Sequence, residues 1–236
     1  MSISESFERQ PCLRTRADKT IGLLGGTGPE GRGIAVRFAS VGISVVIGSR
    51  EKTKAEDVVR RILAILPEAD VLGTDNADMI QRCDIVFLTV PFVAQHLILQ
   101  EFADLLKGKI VVCTAVPVQF SKESIDSLPV SEGGASLQAR ADLPGSAVVG
   151  AFQNIGAADL WDIDKRLDAD VIVASDSERA KRRIMALCSF IAGLGVVDGG
   201  PLDTTLYVEA LTVLLLRVNR NYPGSHATVK LLGIVV

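Results

Sequence analysis

Residues 22–33 read GLLGGTGPEGRG, and Gly26, Gly28 and Gly31 within them are spaced as G-x-G-x-x-G. That spacing suits a phosphate grip: Gly26 for a tight turn, Gly28 for close approach of a pyrophosphate to the backbone, Gly31 for a helix packed hard on a strand. Pro29 fits the first helical position, where no amide donor is needed, and the free amides of that helix start would face the phosphates. Glu30 is the awkward member. A carboxylate in a first helical turn suits the helix dipole but would repel a pyrophosphate if turned inward, so it is expected to point outward.

The type of nucleotide is read at the end of the second strand. An NAD site places Asp or Glu about 20 residues on, to hold the ribose 2′-hydroxyl. Here the place reads Gly48-Ser49-Arg50, with Lys54 one helical turn later. A hydroxyl, a planar guanidinium fork and a point charge favour a 2′-phosphate, hence NADP over NAD. Glu51, the one acid nearby, reads as the start of the next helix.

Side chains for acid–base work are scarce. A dehydrogenase acting on a carbonyl needs a proton donor such as His, Lys or Tyr. The chain has no Tyr-x-x-x-Lys; its tyrosines are Tyr207 and Tyr222. His96, after Pro91 in the segment following DIVFLTV, reads as ribose-adjacent rather than catalytic. His226 stands in the C-terminal PGSHATVKLLGI. No Ser-His-Asp arrangement, paired-carboxylate motif or metal cluster stands out, so no catalytic residue and no metal ligand is assigned. Such scarcity suits hydride transfer between two cofactors, where the protein supplies orientation and electrostatics. Arg217, Arg220 and Lys230, with no acid after Glu209, suggest an anionic second ligand.

These residues need elements to position them. Ile21–Leu24 reads as a strand, 31–41 as a helix, 44–48 as a second strand, 52–65 as a charged helix and 70–72 as a short third strand. The apolar runs at 84–90, 109–114, 147–151 and 171–174 fit strands buried on both faces of a parallel sheet. Their alternation with helical patterns predicts an α/β, doubly wound, Rossmann-type and mostly parallel sheet. Near the end, LYVEALTVLLLRVN is helical in length and apolar nearly all round, which predicts burial in a smaller C-terminal domain or against another subunit. The expected division is a flexible extension over 1–18, a nucleotide-binding domain over 19–174 and a small domain over 175–236.

Composition bounds the rest. The chain has 236 residues, 48% of them hydrophobic, and a net charge of −3, which gives no basic field for nucleic acid. Cys12, Cys83, Cys113 and Cys188 are scattered, without zinc or C-x-x-C spacing, as for buried thiols in a reducing compartment. No apolar leader or membrane-length run is evident. A cytoplasmic protein without membrane partners, assembled as a homodimer or higher homo-oligomer, is the expectation.

Taken in order, LLGGTGPEGRG, VVIGSREKTKAE, DIVFLTVPFVAQH, GKIVVCTAVP, VVGAFQNIGAADL, DGGPL and VEALTVLLLRVNRNY resemble the NADPH-dependent reductases of coenzyme F420. The resemblance runs from Thr20 to about Ile234. It implies NADP and coenzyme F420 as cofactors, meeting in a cleft that the C-terminal domain completes, with hydride passing between nicotinamide C4 and deazaflavin C5. Thr27, Gly28, Pro29 and Glu30 match the family's phosphate loop, Ser49, Arg50 and Lys54 its 2′-phosphate site, and Pro91, Val116 and Ala157 its nicotinamide side. Gln153 replaces a frequent histidine near the deazaflavin, and Glu30 replaces a more usual neutral residue. Two other functions suit the same fold plan: an NADP-dependent imine or carbonyl reductase, with His96 its best proton donor, and a non-catalytic NADP sensor.

Overall fold

A computed structural model describes residues 20–234; the extension expected over 1–18 lies outside them, with Cys12. The first half alternates strictly: β1 (Thr20–Leu24), α1 (Pro29–Ser40), β2 (Ser44–Ser49), α2 (Lys52–Ile65), β3 (Val71–Asp75), α3 (Asn76–Arg82), β4 (Ile85–Leu88), α4 (Phe92–Leu106) and β5 (Ile110–Cys113). A short antiparallel hairpin follows, β6 (Val118–Phe120) with β7 (Ile125–Ser127), then α5 (Ala135–Asp142), β8 (Ala147–Gly150), α6 (Ala157–Trp161), β9 (Ala169–Ala174), α7 (Glu178–Cys188), β10 (Leu194–Gly200) and, after one 3-10 turn, α8 (Thr205–Asn221).

Eight strands form one sheet in the order β10-β9-β8-β5-β4-β1-β2-β3. Every neighbouring pair is parallel except β8 with β9, which meet antiparallel at Gly150 and Ala174. The apolar runs have the expected cause: β4 is buried along its whole length, because helices cover both faces of the sheet. On α2 only Ala55, Val58 and Ile62 are buried, one stripe at helical spacing, and the intervening charges face solvent. Strand order reverses between β1 and β4, and such a switch point opens a crevice at the carboxyl ends of the strands.

The sheet runs past the division expected at residue 174. β10 pairs in parallel with β9 from Leu194 opposite Ala169 onward, and α7 packs on β8, β9 and β10. Its sequence, LGVVDGG, hides the strand, because glycine is depleted in strands and dilutes the apolar pattern. After β10 the described chain adds no further strand to this sheet, although its tail returns to it, where the Asp170 amide donates to the Val229 carbonyl at 2.8 Å.

Helix α8 is only partly buried within the single chain. Val208, Glu209, Thr212 and Val213 are buried, but Leu206, Tyr207, Leu214 and Val218 are exposed, so an apolar stripe of this helix faces out. No helix among the described residues is long and apolar enough to cross a membrane.

Candidate functional site

The crevice is a cleft of about 780 Å³ that runs from the β1–α1 loop to α8. In the loop the left-handed residue is Gly25, at φ +72°, rather than Gly26. A side chain at Gly25 would collide with Val90, and its amide reaches the buried Asn76 Oδ1 at 3.4 Å. Gly26 instead donates its N–H to the Gly48 carbonyl at 3.0 Å, joining the loop to β2. A Cβ on Gly31 would lie 2.7 Å from the Gly26 Cα, so the contact between helix and loop requires glycine at 31. At Gly28 a Cβ would meet nothing within 4 Å. Gly28 is also the N-cap of α1, without a side-chain cap, and Pro29 follows it in the first turn. The loop therefore offers open space before uncapped amides, which fits a pyrophosphate.

Glu30 does not point outward. It lines the cleft, and its Oε1 is closed off from solvent without a hydrogen-bond partner. Burial pushes its carboxyl up to about 8, so the loop carries a neutral acid at pH 7.

At the end of β2, Ser49, Arg50 and Lys54 all line the cleft. Ser49 is buried and its Oγ accepts the Glu51 amide at 3.2 Å. Arg50 is exposed and pairs with no acid among the described residues. Lys54 is engaged already, its Nζ 2.6 Å from Glu51 Oε1, with both side chains more than half exposed. Arg50 is thus the free cation of this corner, and such an exposed pair is weak enough to yield Lys54 to a phosphate.

Pro91, Val116 and Ala157 line the middle of the cleft. Ala157 begins α6, and buried Arg37 of α1 ties that helix down by donating to the carbonyls of Leu160 at 2.8 Å, Asp159 at 2.6 Å and Asp162. The far wall holds Phe152, Gln153 and Asn154 from the loop after β8, and Thr212, Leu215, Leu216 and Asn219 from one face of α8. Phe152 is held at φ +70° while its ring packs with Phe38 and Phe87 at centroid distances of 6.1 and 5.9 Å. Behind this wall Glu209, 3% exposed, accepts the amides of Ala135 at 2.9 Å and Ser136 at 3.2 Å and the Ser136 hydroxyl at 3.2 Å. It caps α5 in place of Gly134, which has no side chain to do so. Desolvation raises its carboxyl above the ordinary range, and those three hydrogen bonds oppose the rise.

Several predicted residues lie elsewhere. His96 is not in the cleft wall: its Nδ1 meets Asp142 Oδ1 at 2.9 Å on an exposed face between α4 and α5. Its neighbour Gln95, one helical step of rotation away, is fully buried, and the α4 residues that line the cleft are Phe92, Val93, Ala94 and Ile98. Arg217 and Lys230 are taken by Asp126 and Asp168 and His226 faces Asp159, which leaves Arg220 as the cation of the basic tail without an acid partner among the described residues. Residues not foreseen are Asn76, Thr89, Thr114, Asn154, Thr212 and Asn219. Thr89 and Thr114 close the apolar runs of β4 and β5, where strand ends meet a ligand crevice, and that position was their available signal.

A family model described as "NADP oxidoreductase coenzyme F420-dependent" matches residues 20–117. The F420-dependent NADP reductase of Methanocaldococcus jannaschii is 33% identical over 222 residues, covering 92% of this chain and 99% of the relative. That of Methanothermobacter marburgensis is 34% identical over 205 residues, covering 84% and 92%. A solved structure from Arthrobacter sp. FB24, assigned as an F420-dependent NADP reductase, superimposes with a TM-score of 0.76 at 25% identity, covering 90% of this chain and 98% of that one.

Proposed function

The chain belongs to the family of F420-dependent NADP reductases, and from that premise we propose how its residues divide the work. It is an oxidoreductase of NADP and coenzyme F420. The amides around Thr27, Gly28 and Pro29 hold the pyrophosphate, and neutral Glu30 leaves that charge unopposed. Ser49, Arg50 and Lys54 hold the 2′-phosphate, with Arg50 first because it has no competing acid. Pro91, Val116 and Ala157 shape the nicotinamide side. When bound, the two ring systems supply the chemistry, a hydride passing between nicotinamide C4 and deazaflavin C5.

The single observation that carries this reading is the continuity of the cleft. One space joins the phosphate loop to the α8 face, and among the described residues no histidine, tyrosine or cysteine lines it. Two rings can be stacked in such a space, whereas a carbonyl or imine reductase would need a proton donor beside the nicotinamide, and His96 is turned away while Glu30 and Lys54 belong to the phosphate loop and the 2′-phosphate corner. The part of the chain after residue 200 closes the deazaflavin side through Thr212, Leu215 and Leu216. The exposed stripe of Leu206, Tyr207, Leu214 and Val218 on α8 supports assembly with a second copy.

The test is the deazaflavin absorbance on mixing protein, NADPH and F420. Bleaching that requires protein and is much slower with NADH is the expected result. A flat trace with tight NADPH binding would remove F420 from the reading and leave the nucleotide site.

A further inference from the structure

Gln153 and Asn154 stand side by side in the cleft wall, 5% and 3% exposed. Each has its amide NH₂ committed to the protein: Gln153 Nε2 donates to Ser136 Oγ at 3.3 Å, and Asn154 Nδ2 to the Asp170 carbonyl at 2.7 Å. The partners fix which way each amide points. The Asp170 carbonyl only accepts. Ser136 directs its hydroxyl proton to Glu209 Oε1, an oxygen that also receives the Ser136 amide, so the serine oxygen is left to accept from Gln153. The loose ends are therefore both oxygens. Gln153 Oε1 and Asn154 Oδ1 are both buried with no hydrogen-bond partner among the described residues.

Orphaned acceptors are rare in buried positions because each forfeits its hydration. Two in succession, on the wall of the main cleft, directly follow a phenylalanine held in the left-handed region. That conformation is unfavourable for a bulky residue and persists only where surrounding packing enforces it, commonly at ligand sites. Here the Phe38–Phe87–Phe152 cluster does so.

We propose that Gln153 Oε1 and Asn154 Oδ1 are acceptors for amide-type N–H groups of the bound rings, fixing which edge of a ring enters the wall. The ligands' identity rests on the NADP and F420 reading above. Within it the chemistry has two sources, the carboxamide NH₂ of the nicotinamide and the imide N–H of the deazaflavin. A carbonyl edge turned to either oxygen meets an acceptor and is rejected. Glu209 and Ser136 are positioning residues, since they hold the Gln153 amide nitrogen and leave its oxygen without a partner among the described residues.

The test is direct binding by fluorescence quenching, which needs no turnover. Wild-type protein and Gln153→Met are titrated with NADP, with its 3-acetylpyridine analogue, which lacks the N–H, with F420 and with an N3-methylated deazaflavin. If the nicotinamide is the donor, wild type binds the acetylpyridine analogue about tenfold more weakly than NADP, and Gln153→Met narrows the difference. If the deazaflavin is the donor, the methylated ring shows that loss instead, with the same narrowing in the variant. Two results overturn the proposal: wild type that distinguishes neither pair, or a discrimination that persists unchanged in folded Gln153→Met. The wild-type comparison stands even if the variant fails to fold. Missing F420 turnover with the NADP discrimination intact would overturn the functional reading and leave the acceptors.

Discussion

At the outer end of the cleft the charged groups stand in solvent; at the inner end the one carboxylate is sealed beneath two helices. Arg50 is exposed and unpaired among the described residues, and Lys54 touches only an exposed Glu51. Glu209 is 3% exposed and held by two backbone amides and a hydroxyl. The outer end can read a ligand's charge without holding the fold together. The inner end cannot be altered without loosening α5 from α8. A protein that must distinguish NADP from NAD and still give two rings a rigid seat gains from separating these duties.

The largest effect falls on the inner end. Glu209→Ala strips the acceptor from the Ala135 and Ser136 amides and from the Ser136 hydroxyl at once. A loss of about 3 kcal/mol in unfolding free energy is expected, as for a buried charged group whose partners are left unpaired, read from the denaturant midpoint. Glu209→Gln retains one acceptor oxygen and should fall between. An alanine variant as stable as wild type would break the contrast between the two ends.

Arg50→Ala sharpens it from the other side. Stability should stay within about 0.5 kcal/mol of wild type, as for an exposed side chain. NADPH binding should weaken by about 1.5–3 kcal/mol, the size of a lost charge-assisted contact, while NADH binding barely changes. Calorimetry with both nucleotides reads this directly. Equal losses for the two would remove Arg50 from the 2′-phosphate.

How far these two ends were legible in the sequence follows from how local their determinants are. The loop and corner lie within one strand–helix–strand unit, so spacing is enough to single out Gly28, Pro29, Ser49, Arg50 and Lys54, which line the cleft together with Thr27, the residue that the family resemblance adds. Even there the turn was displaced by one, from Gly26 to Gly25, because two adjacent glycines look alike until Val90 crowds one of them. The inner wall depends on residues far apart in the chain: Glu209 reaches Ala135 across 74 positions, and Asn154 is fixed by Asp170. Periodicity cannot reveal such pairings. Nor could it phase α4, where buried Gln95 and exposed His96 are adjacent. Strand β10 was hidden by its glycines, one of which, Gly195, leaves room for Asp170 Oδ1, 2.0 Å from where a Cβ would stand.

The smallest effect tests Glu30, the one place where the outer end behaves like the inner. Its position in the first turn of α1 favours the ionised form through the helix dipole, yet burial without a partner prevails and holds the carboxyl at about 8 instead of its ordinary 4.5. The nearest cation along its own helix, Arg32, lies over the Trp161 ring at 5.7 Å. Below pH 4.5 the acid is protonated in both the folded and the unfolded chain. As pH rises from there toward 8, the unfolded chain releases this proton and the folded one retains it, so stability falls across that window and the decline ends above it. Glu30→Gln should remove this part of the slope, and the gap in melting temperature between variant and wild type should widen up to about pH 8, then level. Nucleotide affinity follows the same group with a different onset. At pH 6.5 both proteins should bind NADPH within about twofold of one another, because the carboxyl is neutral and its replacement nearly isosteric. Above pH 8 wild type should lose affinity as the carboxylate forms beside the pyrophosphate, and Glu30→Gln should not. Parallel curves for the two proteins, in melting and in binding, would mean that Glu30 is ionised and solvated throughout, and that the outer end is built of exposed charge alone.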